Sequence, residues 1–252
     1  MRIAILAALL VALPAPALAD AAASFTAGKW QQAATEGRAE GTAASLILAG
    51  RATLNIAGYQ IRDKDAAKAQ IAAAERDFDR AIAKAPNNLE ALTQKAIATG
   101  YRAKLDKSPG EGKSARDQMV AVLAKDPTFP LANAALGAWH GGAVATIGNF
   151  LARTLLGANR KDMDKYLTLA MAREPREIIH PVTYAFTLLD IGADDASKAT
   201  TLLRTAVKLP VKDAYDGVNH KAATQVLALL EAKDVKGARA LVKKLEPFNY
   251  FG

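Results

Sequence analysis

Apolar residues recur along this chain in a fixed pattern. Ala74, Phe78 and Ala81 precede Pro86; Ala115, Met119 and Val122 precede Pro127; Met163, Leu167 and Ala170 precede Pro175. A weaker copy, Ala199, Leu203 and Ala206, meets Pro210 one residue early. The i, i+4, i+7 spacing sets three apolar side chains on one stripe of a helix, and the proline falls where that helix has ended. Alanine and leucine are abundant, and no stretch alternates with period two over a strand's length. The pattern predicts an all-α chain with helices near 42–60, 66–84, 89–105, 113–125, 130–156, 161–173, 178–191, 194–208, 216–232 and 234–245. Turn signals lie between them, among them Ser108-Pro109-Gly110-Glu111-Gly112 and Gly157-Ala158-Asn159. Asn159 and Asp194 are the expected N-caps of the helices that follow them.

The Ala, Phe, Ala, Pro spacing resembles the second helix of the tetratricopeptide repeat (TPR), a unit of about 34 residues built from two antiparallel helices. Leu136-Gly137 falls where the family favours a Leu-Gly pair in the unit's first helix. The resemblance covers residues 42–245 or so, and implies a right-handed stack of antiparallel helix hairpins, a TPR-like α-solenoid, within one domain over 20–252. One hairpin cannot bury its apolar stripe alone; stacked neighbours bury it together. The prolines at 86, 127, 175 and 210 are unevenly spaced, and the first two intervals exceed the family period. Helices or loops are therefore expected to be lengthened between Tyr101 and Lys113 and between Trp139 and Arg160. The resemblance also implies a concave face lined by Leu131, Ala134, Ala138 and Gly141 and by Ile179, Val182, Phe186 and Leu189. These are small or apolar residues, suited either to cover by the protein's own segments or to an apolar partner.

The first residues read differently. Arg2 precedes an apolar run from Ile3 to Leu13; Pro14 and Pro16 break it, and Ala17-Leu18-Ala19 precedes Asp20. This is the pattern of a cleaved secretory signal over 1–19, too short for the ~20 apolar residues of a membrane span. The chain has no cysteine, which excludes disulfides, thiolate metal sites and lipid attachment after the cleavage point. The signal and the alanine-rich composition point to a soluble protein of a Gram-negative periplasm, with no membrane span in the mature chain. The net charge is +8, but acidic and basic residues interleave, as in Arg76-Asp77-Phe78-Asp79-Arg80, which reads as a solvated helical surface. Export argues against nucleic acid, while a weak attraction to anionic surfaces stays open.

Candidate chemistry is sparse. Gly112-Lys113-Ser114 looks like the end of a phosphate-binding loop, but that motif needs a glycine at the position of Lys107 and a preceding strand; a flexible hairpin turn is the expectation. His140, His180 and His220 are evenly spaced, which would place them on successive hairpins ~10 Å apart, too far for ligands that must each lie ~2 Å from one ion. Asp162 and Asp164, and Asp194 and Asp195, stand at helix starts, where the dipole favours negative charge. The chain is read as non-catalytic, without metal or cofactor. The oddest segment is Leu136 to Gly157, glycine-rich and apolar yet carrying Trp139, His140, Asn149, Phe150 and Arg153; the polar residues would be expensive in lipid. It is expected to be a long buried helix whose glycines admit close neighbours, or an insert that shapes a pocket or meets a partner. The aromatic tail, Phe248 to Phe251, is expected to cap the last hairpin.

The favoured expectation is a scaffold that binds a protein or peptide partner by burying apolar anchors in a groove. The alternative is a binder of a small apolar or anionic ligand, similar to exported TPR-like accessory components of solute uptake, with Arg153 or His140 as polar anchor. Phe78→Ala and Leu167→Ala should each cost ~3 kcal/mol. Thermal melting checks both; an unchanged melting curve contradicts the assignment of these positions to the packed stripe.

Overall fold

The computed structural model describes residues 20–251, so the signal segment expected over 1–19 lies outside the described residues. The described residues form twelve α-helices and no strand: α1 (Ala21–Thr26), α2 (Trp30–Glu40), α3 (Ala43–Asn55), α4 (Lys64–Lys84), α5 (Leu89–Asp106), α6 (Pro109–Lys125), α7 (Pro130–Leu151), α8 (Arg160–Arg173), α9 (Ile179–Ile191), α10 (Ala196–Ala206), α11 (Ala214–Glu231) and α12 (Val235–Leu245). Short π turns extend α3 over Ile56–Gln60 and α7 over Ala152–Leu156, and a 3₁₀ turn, Asn249–Phe251, is the last described element.

Helix starts follow local chemistry. The side chains of Asp20, Thr42, Asp63, Asn88, Ser108, Asn159, Asp213 and Asp234 each accept a hydrogen bond from a backbone N–H of the first turn, satisfying a donor that has no partner within the helix. Asn159 thus caps α8 as expected. Asp194 does not cap α10: the residue before that helix is Asp195, which makes no cap bond and instead pairs with Arg160. The expected turn at Ser108–Gly112 is also helical. Ser108 caps α6, and Pro109 takes its first position, where a missing N–H costs nothing. The lengthening expected between Tyr101 and Lys113 is therefore longer helix on both sides of a tight turn at Lys107.

Each helix packs on the next, and the odd-numbered helices also touch in succession: α3 on α5, α5 on α7, α7 on α9, α9 on α11. All twelve apolar positions of the repeated pattern are buried. In two copies the large residue of the stripe, Phe78 or Leu167, packs where the partner helix has no side chain. A Cβ on Gly50 of α3 would stand 2.3 Å from the Phe78 ring, and one on Gly137 of α7 would stand 2.7 Å from Leu167. The Leu-Gly pair thus lets α7 and α8 approach closely.

Helices α1 and α2 carry no repeat pattern and were not expected from the sequence, yet they hold the charge that α4 needs. Asp77 is 3% exposed, not part of a solvated face. Arg38 of α2 donates to both of its carboxylate oxygens, Nε at 2.9 and 3.1 Å and Nη2 at 2.8 Å, and also to Thr53 of α3 at 2.8 Å. One guanidinium joins three helices.

The first and last helices of the described residues come together. Helix α1 touches α11; a Cβ on Gly28, whose φ of +74° suits glycine, would stand 2.8 Å from Ala214. Tyr59 and Tyr215 lie edge to face at 6.3 Å. The aromatic tail, expected to cap the last hairpin, reaches past α12 into the core of α3, α4 and α5. Arg38→Ala should lower stability by about 2 kcal/mol, because a buried carboxylate loses its hydrogen-bonded counter-ion and keeps only the looser pair with Arg80 at 3.7 Å, while Arg38 itself is partly solvated. Arg204→Ala, which breaks the exposed pair with Glu231, should cost under about 0.5 kcal/mol. Urea unfolding of the two variants checks the contrast; equal midpoints contradict it.

Candidate functional site

The segment 136–157 combines two environments. Its first half is buried through Leu136, Gly137, His140, Gly141 and Val144. Trp139 donates from Nε1 to the Gly112 carbonyl at 2.8 Å, with the Arg116 guanidinium over its ring. His140 stacks on Tyr166 at 5.7 Å, and its Nδ1 accepts from the Asn159 backbone N–H at 3.2 Å. Burial pushes its imidazole below the ordinary value, which keeps that nitrogen an acceptor. Asn149 accepts from the Arg160 backbone N–H at 3.1 Å. His140, one of the two expected polar anchors, and the candidate contact residue Asn149 are thus spent on backbone donors at the start of α8.

The second half differs from the expected buried helix. Beyond Val144 the buried stripe stops, and Gly148 leaves the helical region with φ 78° and ψ 155°. Arg153 is exposed, as are Phe150, Leu151 and Leu155. Ala152 and Ala158 turn inward against Val144, with the half-buried Ile147 and Leu156 packed beside them.

The positions expected to line a concave face are mostly filled by the protein itself. On α7, Ala134 and Gly141 are buried, and Leu131 and Ala138 half-buried. A Cβ on Gly141 would stand 2.0 Å from Thr187 and 2.9 Å from Met163. On α9, Val182, Phe186 and Leu189 are buried in the core of α8–α12, and Ile179 is half-buried.

A second constellation sits where the tail crosses the ends of α3 and α5. Phe248 is buried and packs on Tyr101 at 4.9 Å, with Phe251 stacked behind it at 6.5 Å. Its backbone takes φ +68°, a strained conformation for a bulky side chain that its packing must offset. Phe248 joins the cluster of Leu54, Ala57, Ile71, Phe78, Ala98 and Leu105. Pro247 lies against Gly58, where a Cβ would stand 3.1 Å away, and its carbonyl accepts from Lys104 Nζ at 3.2 Å. Glu246 accepts from the Asn249 side-chain amide at 2.7 Å.

Burial governs the charges of this slot. It raises the half-buried Glu246 carboxyl, against the pull of Lys104, which is itself exposed. It also raises the hydroxyls of Tyr59, Tyr101 and Tyr215. The slot can hold an aromatic side chain on apolar walls, with an ammonium for the adjoining carbonyl and phenols at its rim. None of these residues was singled out as a site from the sequence; their sole signal there is the aromatic cluster at the C-terminus. No protein-family model and no curated protein matches the chain.

Proposed function

We propose that the chain is a non-catalytic, TPR-like scaffold, a right-handed stack of helix hairpins exported to the periplasm, that holds a protein or peptide partner by an aromatic anchor. One observation carries this reading. The last residues lie across α3 and α5 as a short peptide, with Phe248 inserted and the Pro247 carbonyl held by Lys104. The tail is a sample of what the slot accepts: an aromatic residue after a proline, beside a carboxylate.

The anchor differs from the one expected. Partner contact was assigned to α7 and α9, but most of those side chains are packed against neighbouring helices. The slot at α3 and α5 is instead filled by a segment that could leave without unpacking a helix. An intramolecular tail acts at an effective concentration of millimolar order, so a partner must bind the slot tightly enough to displace it.

A chain ending at Glu246 should bind a synthetic peptide of residues 246–252, read by fluorescence anisotropy, about a hundredfold more tightly than the untruncated chain does. The same peptide with Ala in place of Phe248 should not bind. Phe248→Ala in the full chain gives the same comparison if truncation lowers stability. A folded chain with an emptied slot that ignores the peptide contradicts the proposal.

A further inference from the structure

Five large apolar side chains are exposed among the described residues: Val120, Phe150, Leu151, Leu155 and Val211. Three of them stand within six residues of one another. Phe150 is 79% exposed, Leu155 57% and Leu151 47%. They do not belong to a frayed end. Arg116 donates from Nη1 to the Leu156 carbonyl at 2.9 Å, and Asn149 accepts from the Arg160 N–H at 3.1 Å. The Ala158 N–H returns to the Ala152 carbonyl at 3.0 Å, and Ala152 and Ala158 are buried against Val144. A fixed base therefore presents an apolar tip, and Gly142 and Gly148 on its approach have open space beside them.

The charge around the tip has one sign along the sequence. From Pro127 to Lys161 there is no Asp or Glu, while Arg153, Arg160 and Lys161 are present. Arg153 stands exposed between Leu151 and Leu155, and no ion pair involves it among the described residues. The acids near its base are engaged: Asp162 accepts from Asn159 at 2.8 Å, Asp164 pairs with Lys198 and Asp195 with Arg160, and the exposed Asp117 pairs with the same Arg116 that holds the Leu156 carbonyl.

Three side chains on an exposed turn are a small footprint for a protein interface, which takes roughly 800 Å² from each partner. A bilayer asks for less: apolar side chains that reach below the headgroups and cations that stay among anionic lipids. No helix of the described residues is long and apolar enough to cross a membrane, so such a contact is peripheral. We propose that the turn over residues 149–156 seats Phe150, Leu151 and Leu155 at the headgroup–acyl boundary of an anionic bilayer, with Arg153 among the lipid phosphates. This contact is independent of the aromatic slot, and failure of either leaves the other standing.

The test uses the chain from Asp20 onward, because the apolar run from Ile3 to Leu13 would itself bind lipid. Co-sedimentation with vesicles of 70% phosphatidylcholine and 30% phosphatidylglycerol, set at about those proportions to supply anionic charge, should pull the protein down more than neutral vesicles do. Phe150→Ser with Leu155→Ser should weaken binding about tenfold or more, and Arg153→Glu about fivefold. Their circular dichroism should be unchanged, since all three residues are exposed. The chain has no cysteine, so Phe150→Cys takes a single environment-sensitive fluorophore, whose emission should shift to the blue on anionic vesicles. Absence of binding, equal binding to neutral vesicles, or binding that ignores the tip variants overturns the proposal. So does a blue shift that needs no lipid and tracks dimer formation, which would assign the tip to a second copy of the chain.

Discussion

The insertion of Phe248 beside Tyr101 ties the last residues of the chain to the core of its first helices. A row of helix hairpins buries each apolar stripe against the next unit and leaves its two outer faces bare. In this chain late helices return to early ones. Helix α11 meets α1, Tyr215 meets Tyr59, and the tail reaches α3 and α5. The strained backbone at Phe248 shows that packing, not local preference, holds the segment there. What covers the early core is therefore a segment that follows the last helix.

The same packing logic runs through the body of the fold. Phe78 against Gly50 and Leu167 against Gly137 bring paired helices close, and Arg38 against Asp77 fixes α2 onto α3 and α4. The tail slot continues that packing, and the exposed tip lies where it stops. A π turn lies at each: Tyr59 belongs to the one that ends α3 and borders the tail slot, and Leu155 to the one that ends α7 at the exposed tip. A π turn shifts the register of side chains within a helix, and such turns recur at functional positions. The slot and the tip thus offer two contacts of different chemistry, one aromatic and enclosed, the other apolar, cationic and exposed.

The stripes were legible in the sequence because period and punctuation are local properties. Ala74, Phe78 and Ala81 are buried as their spacing requires, and Asn159 caps as its position suggests. Ser108-Pro109 followed by Glu111 is also a helix start in local terms, hidden by the glycines around it. Helix α2 was not legible: its buried residues are Trp30, Ala33, Ala34 and Gly37, a stripe too poor in large apolar side chains to stand out. Its partner, Asp77, then looked like one charge among many. The site was harder still. Phe150 in an apolar run reads as buried whichever way the helix turns, and the destination of Phe248 depends on the return path of the whole row. Long-range closure of this kind leaves no periodic trace.

Hydrogen exchange by mass spectrometry, comparing the protein with its Phe248→Ala variant, addresses the link between the two ends most directly. If the tail completes the early core, amides near the ends of α3 and α5, residues 54–60 and 101–106, should exchange faster in the variant. Those of α8 to α10 should keep their protection. Unchanged protection at 54–60 and 101–106 would contradict the closure.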